Sequence, residues 1–116
     1  MLSFPASVRI FLCTEPVDLR KSFNSLPGEI RRIFRADPLS GHLFVFSNRR
    51  RNQLKIIYWD RDGYAIWSKR FDRGTFNLNV NSSDNSEINY RKLTALLQGI
   101  EPAKFRKRFS RDNSIF

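Results

Sequence analysis

The sequence predicts an α+β domain: a mainly antiparallel sheet of four to five strands, with a helical segment after strand one and a second helix near the C-terminus. Three observations carry that expectation. Between Asp37 and Phe76, three runs of strand-forming residues are separated by polar turn sequences, of which Asp62-Gly63 is the sharpest; Asp-Gly between β-rich runs is a strong hairpin signal. Apolar residues recur at helical spacing from Leu19 to Phe34 and again over Leu93, Leu96 and Leu97. Finally, 41% hydrophobic content with 11 Phe, against 5 Gly and 5 Pro in 116 residues, suits one domain that buries roughly two thirds of its unfolded surface.

Taken in order, Ser7 to Thr14 alternates, with Val8, Ile10 and Leu12 on one side and Arg9, Phe11 and Cys13 on the other, as a strand does. Glu15-Pro16-Val17 breaks it, and Asp18 is placed to cap a helix. Leu19, Phe23, Leu26, Ile30, Ile33 and Phe34 form that helix's apolar face, with a kink expected at Pro27-Gly28. A turn at Asp37 to Gly41 leads into Leu43-Phe44-Val45-Phe46, whose unbroken apolar run fits a central strand covered on both faces. Ser47 to Asn52, with its three arginines, reads as a solvent-facing reversal. Leu54 to Trp59 and Tyr64 to Phe71 then pair across Asp60 to Gly63. Asn77 to Asn85 is a short alternating piece with a polar linker, and Ser86 is placed to cap a last helix, with Ile88, Leu93, Leu96 and Leu97 inward and Gly99 as its stop. The expected division is one domain over 1–101 and a basic, flexible tail over 102–116. Strand order is not derivable at this level.

Charge is the strongest indication of a partner. Lys and Arg number 21 against 11 Asp and Glu, for a formal net charge of +10, and 15 of the cations are Arg. The planar fork of Arg binds two phosphate oxygens at once. DNA or another nucleic acid is therefore the leading partner class. No apolar run approaches the ~20 residues of a membrane-spanning helix. Arg9 interrupts the N-terminal apolar stretch, unlike a secretory signal, and a cytoplasmic location is the expectation. With Cys13 and His42 the single residues of their kinds, neither an intrachain disulfide nor a Cys/His zinc site can form, and no cofactor is expected.

Several blocks of this sequence resemble one family. They are Asp18-Leu19-Arg20-Lys21 with Phe23 and Leu26, Asp37-Pro38-x-Ser40-Gly41-His42-Leu43-Phe44-Val45-Phe46, Asn48-Arg49-Arg50-Arg51, Leu54-Lys55 and Tyr58-Trp59-Asp60-x-Asp62-Gly63. Lys69-Arg70, Arg73-Gly74-x-Phe76 and Leu93-x-x-Leu96-Leu97-x-Gly99-Ile100 complete the match. The family is TnpB, encoded by the second open reading frame of bacterial transposons of insertion-sequence family sixty-six, and unrelated to the RNA-guided nuclease of the same name. The resemblance implies an accessory protein that works with a separate transposase. This chain departs from the family pattern at Ser22, where Gly is usual, at Asn24, where Asp is usual, and at Asp72, where Glu is usual; Pro27 is also unexpected.

The candidate phosphate-binding residues are Arg49, Arg50, Arg51, Lys55, Lys69, Arg70 and Arg73, which a three-stranded meander brings to one end of the sheet, together with Arg20 and Lys21 in the expected first helical turn. Tyr58, Trp59, Tyr64 and Trp67 can either stack bases or pack as core and cross-strand pairs. A catalytic alternative, a metal-dependent nuclease, would have to draw on Asp18, Asp37, Asp60, Asp62 and Asp72, most of which turns and a cap already explain. A third reading is an adaptor that docks on the transposase without DNA affinity of its own. Non-catalytic DNA binding is the function expected from the residues.

Overall fold

The computed structural model describes residues 5–20, 22–78 and 86–99. The expected tail over 102–116 lies outside them. The elements are β1 (Ile10–Leu12), α1 (Leu26–Glu29) running directly into a π-helical turn (Ile30–Phe34), β2 (Leu43–Ser47), β3 (Gln53–Trp59), β4 (Tyr64–Arg70), β5 (Ser86–Ile88) and α2 (Tyr90–Gln98). The strands form one sheet in the order β4-β3-β2-β1-β5.

β2, β3 and β4 form the meander the sequence predicts, with Phe44 opposite Ile57 and Ile56 opposite Trp67. β1 instead lies parallel to β2, with Ile10 opposite Leu43. A parallel neighbour needs a long crossover, and the chain between Leu12 and Leu43, which carries the helical segment, supplies it. β5 closes the other side of β1 in antiparallel register, and Arg9 and Glu87 tie the two with an ion pair of 2.7 Å.

Each face of the sheet is covered, which is why β2 is buried along its whole length and why its sequence does not alternate. On one face Leu12, Val45 and Ile56 pack against Leu93, Leu96 and Leu97 of α2, with Phe76 and Leu78. On the other, Phe44, Phe46 and Ile57 pack against Leu19, Leu26 and Ile30. Rings of Phe11, Phe34 and Phe44 fill that second layer, with the centroid of Phe44 5.5 Å from Phe11 and 5.4 Å from Phe34, distances at which aromatic pairs attract.

Three local expectations are corrected. The helical segment starts at Leu26, not beside Asp18, and Pro27 sits in its first turn. There a missing N–H costs nothing and a fixed φ helps, so Pro27 begins the helix where a mid-helix position would have kinked it. Asp18 closes a turn instead, accepting the Arg20 backbone N–H at 3.0 Å, and Phe23, left outside the helix, is 50% exposed. The last helix is capped by Asn89, whose side chain accepts the Lys92 N–H at 2.7 Å, while Ser86 to Ile88 form β5. The first strand is shorter than Ser7 to Thr14, because pairing holds Ile10–Leu12 alone as a strand.

Burial also decides the chemistry of the single thiol. Cys13 is fully buried and its Sγ donates to the Glu15 carbonyl at 3.3 Å. Burial pushes the thiol from its ordinary 9.0 up to about 11. Native protein at pH 8 should therefore resist a thiol reagent until denaturant is added. Because the folded state keeps a proton that the unfolded state loses first, stability should be full below about pH 9 and fall as pH rises through about 11. Denaturation midpoints across that range should show the decline in the parent protein and a smaller one in Cys13→Ala.

Candidate nucleic-acid interface

The β2–β3 connection is held by its own polar residues. The Arg51 N–H donates to the Asn48 carbonyl at 3.1 Å, which makes Arg49 and Arg50 the two central residues of a tight turn. Loops of this length are commonly built around such a turn. The Asn48 side-chain oxygen accepts the Asn52 and Gln53 N–H groups at 3.1 and 3.0 Å, and its amide donates to the Asn52 side chain at 2.6 Å. Asn favours this position because its side chain can satisfy backbone donors ahead of it. Arg51 then takes the left-handed conformation, φ 61°.

That conformation separates three consecutive arginines into two kinds. Arg49 and Arg50 are exposed. Arg51 turns inward, its guanidinium donating to the Thr14 carbonyl at 2.9 Å and to the Ser47 hydroxyl, and burial lowers its pKa below the ordinary arginine value. Arg51 thus joins the turn to the segment that leaves β1.

The remaining candidates divide in the same way. Arg20 ends one wall of a groove, Pro16 to Arg20, whose lining is completed by Asn48, Arg49, Arg50 and Gln53. Its fork is held by Asp18, with Nε and Nη2 donating to the carboxylate at 3.0 and 2.8 Å, and that hydrogen bonding raises the Arg20 pKa. Lys55 Nζ donates to the Leu19 carbonyl at 2.7 Å, anchoring that wall to β3. Lys69 points to the other face, donating to the Leu97 carbonyl at 2.9 Å and resting 5.0 Å from the Phe71 ring centroid. Arg70 is exposed and stands opposite Gln53. Arg73 is exposed in the segment after β4, which is bound to the turn by Phe71 N–H to the Asn52 carbonyl (2.8 Å) and Phe76 N–H to the Arg51 carbonyl (2.7 Å). Lys21 lies outside the described residues.

One end of the sheet therefore gathers Arg20, Arg49, Arg50, Arg70 and Arg73. Asn48 and Gln53, which sequence reasoning passed over, complete it. An Asn opening a hairpin loop was the available signal for the first.

Of the aromatics, Phe71 stacked on Phe76 adjoins this end on the α2 side, while the four base-stacking candidates, Tyr58, Trp59, Tyr64 and Trp67, lie within the strands or at their far end. Tyr58, Trp67 and Phe71 pack on the α2 face. Trp59 and Tyr64 form a cross-strand T-shaped pair 5.1 Å apart beside the Asp60–Gly63 turn, at the opposite end of β3 and about 20 Å from Gln53 at ~3.3 Å per residue. The carboxylates are also dispersed: Asp37 accepts the Leu39 N–H at 2.9 Å and Asp18 holds Arg20. Among the described residues no cluster of three or more His, Cys, Asp or Glu side chains is placed to hold a metal ion. His42 Nδ1 accepts the Arg9 backbone N–H at 3.0 Å, which fixes the strand entry. No helix among the described residues is long and apolar enough to cross a membrane.

The family model described as IS66 Orf2 like protein matches residues 8–107. An uncharacterised protein of Sinorhizobium fredii, y4hO, is 35% identical over 101 residues, covering 87% of this chain and 88% of its own. A second from the same organism, y4jC, is 36% identical over 76 residues, covering 66% and 65% respectively. No solved structure matches.

Proposed function

The chain belongs to the IS66 Orf2-like family, TnpB-type accessory proteins of insertion-sequence transposition, and from that premise we propose that it acts without catalysis, by binding DNA through the arginine-rich end of its sheet. The observation that carries this reading is the convergence of Arg20, Arg49 and Arg50 on one groove, continued across the sheet by Arg70 and Arg73. Cations grouped in this way raise the local potential far more than the same charges spread over a surface. Phosphate contacts would come from these five, Arg20 by exchanging its solvent-exposed Asp18 partner for a phosphate, while Arg51, Lys55 and Lys69 hold the scaffold and add to the field. The transposase is the protein partner expected beside the DNA.

Fluorescence anisotropy with a labelled transposon-end duplex, a scrambled duplex and a single strand tests the reading across a salt series. Neutralising about five phosphates predicts a log–log salt slope of about −4.5. A preference for the end sequence near physiological salt would make the protein a DNA-end factor. Binding to none of the three would overturn the DNA reading and favour docking on the transposase, and metal-dependent cleavage of the probe would overturn the non-catalytic one.

A further inference from the structure

Resting on that reading, the geometry points to a narrower ligand class: duplex DNA, engaged by inserting the β2–β3 turn into the major groove. Preorganisation is the first reason. Asn48 satisfies the donors inside the loop and Arg51 bolts its base to Thr14 and Ser47, so Arg49 and Arg50 are presented on a fixed tip and little ordering is left for the moment of binding. A loop held open by its own hydrogen bonds is suited to enter a groove.

Width is the second. β2 and β3 are flanked by β4 and β1, so the part that can enter is the tip Asn48 to Arg51, closed by the Arg51 N–H to the Asn48 carbonyl. A two-stranded tip fits a major groove about 12 Å wide and not a minor groove about 6 Å wide. Placement is the third. Arg20 comes from the segment hydrogen-bonded to Ser47 on the β1 side of the turn, and Arg70 from the strand on its far side. Two cations on opposite flanks of a basic tip match two phosphate rows on opposite sides of a groove. Single-strand binding instead rests on open aromatic platforms beside the cations. Here Trp59 and Tyr64 stand at the other end of the strands, and the stacked pair at the basic end, Phe71 on Phe76, is packed on the α2 side, with Phe76 buried and Gly99 against the Phe71 ring. Arg at the tip also matches the acceptor pair of guanine, O6 and N7, which lies on the major-groove edge.

The test compares a guanine-rich duplex with each of its single strands at equal length and salt, and maps guanine N7 by dimethyl sulfate at saturating protein. Duplex binding about tenfold tighter than either strand, with N7 protection over a few base pairs, is expected. The Arg49→Lys/Arg50→Lys variant keeps the charge but not the fork, so it should retain binding within a few-fold while N7 protection and any base-pair preference fall. Single-strand binding as tight as duplex binding would overturn the inference while leaving the DNA reading intact, and so would a backbone footprint without N7 protection. Loss of all binding to duplex and strands alike in the parent protein would overturn both.

Discussion

Gly99→Ala is expected to lower stability by about 2–6 kcal/mol, a large share of the 5–15 kcal/mol that holds a typical domain together. Gly99 ends α2 at φ 69° and ψ −176°, a region essentially closed to residues with a side chain and costing about 1–3 kcal/mol to enter. A Cβ there would also run into the edge of the Phe71 ring and stand 3.0 Å from the Thr75 carbonyl oxygen. Phe71 cannot swing away freely, because it stacks on buried Phe76 with centroids 4.3 Å apart. Overpacking of this kind costs a further 1–3 kcal/mol or so. Denaturant unfolding followed by the fluorescence of Trp59 and Trp67 measures the loss. Adding Phe71→Leu to Gly99→Ala should recover the steric part and leave the backbone part. An unchanged midpoint in Gly99→Ala would mean that α2 does not dock on the sheet through this glycine.

Arg49→Ala/Arg50→Ala should weaken DNA binding roughly 60-fold at 0.1 M salt, since two charges leave the field of the duplex and each accounts for about 0.9 of the salt slope. The slope should become less negative by about 1.8. Both side chains are exposed, so stability should move by no more than about 0.5 kcal/mol. Arg51→Ala is the contrasting case. It removes the donors to Thr14 and Ser47, and losing hydrogen bonds from a charged, half-buried group costs about 1.5–3 kcal/mol. Its effect should therefore appear in unfolding, with the salt slope of the remaining folded protein little changed. Equal losses of DNA affinity for the two variants, at equal stability, would contradict the division of the three arginines.

How much of this was legible beforehand follows the range of the interaction involved. The β2–β4 meander could be read because Asp62-Gly63 and the apolar run Leu43 to Phe46 are local signals for adjacent strands. The helix start could not, since Pro27 looks like a breaker until it is known to occupy the first turn. Sequence alone places Lys55 and Lys69 among the candidate phosphate-binding residues, whereas both turn to backbone carbonyls. Their positions within strands held a clue: a lysine on the covered face of a sheet must carry its charge to a carbonyl, as both do at Leu19 and Leu97. The parallel pairing of β1 with β2 and the placing of β5 beyond it have no local signature, because both depend on segments distant in sequence.

Composition and short-range pattern settled that the chain is a basic α+β domain with a tight, arginine-bearing turn between two central strands, because turn chemistry and side-chain alternation act over a few residues. Which of its cations face outward was decided only by the tertiary structure. Three adjacent arginines carry the same charge and the same donors, and nothing in their order distinguishes them. The left-handed backbone at Arg51 and the approach of Thr14, 37 positions earlier, turn one of them inward and leave Arg49 and Arg50 at the tip.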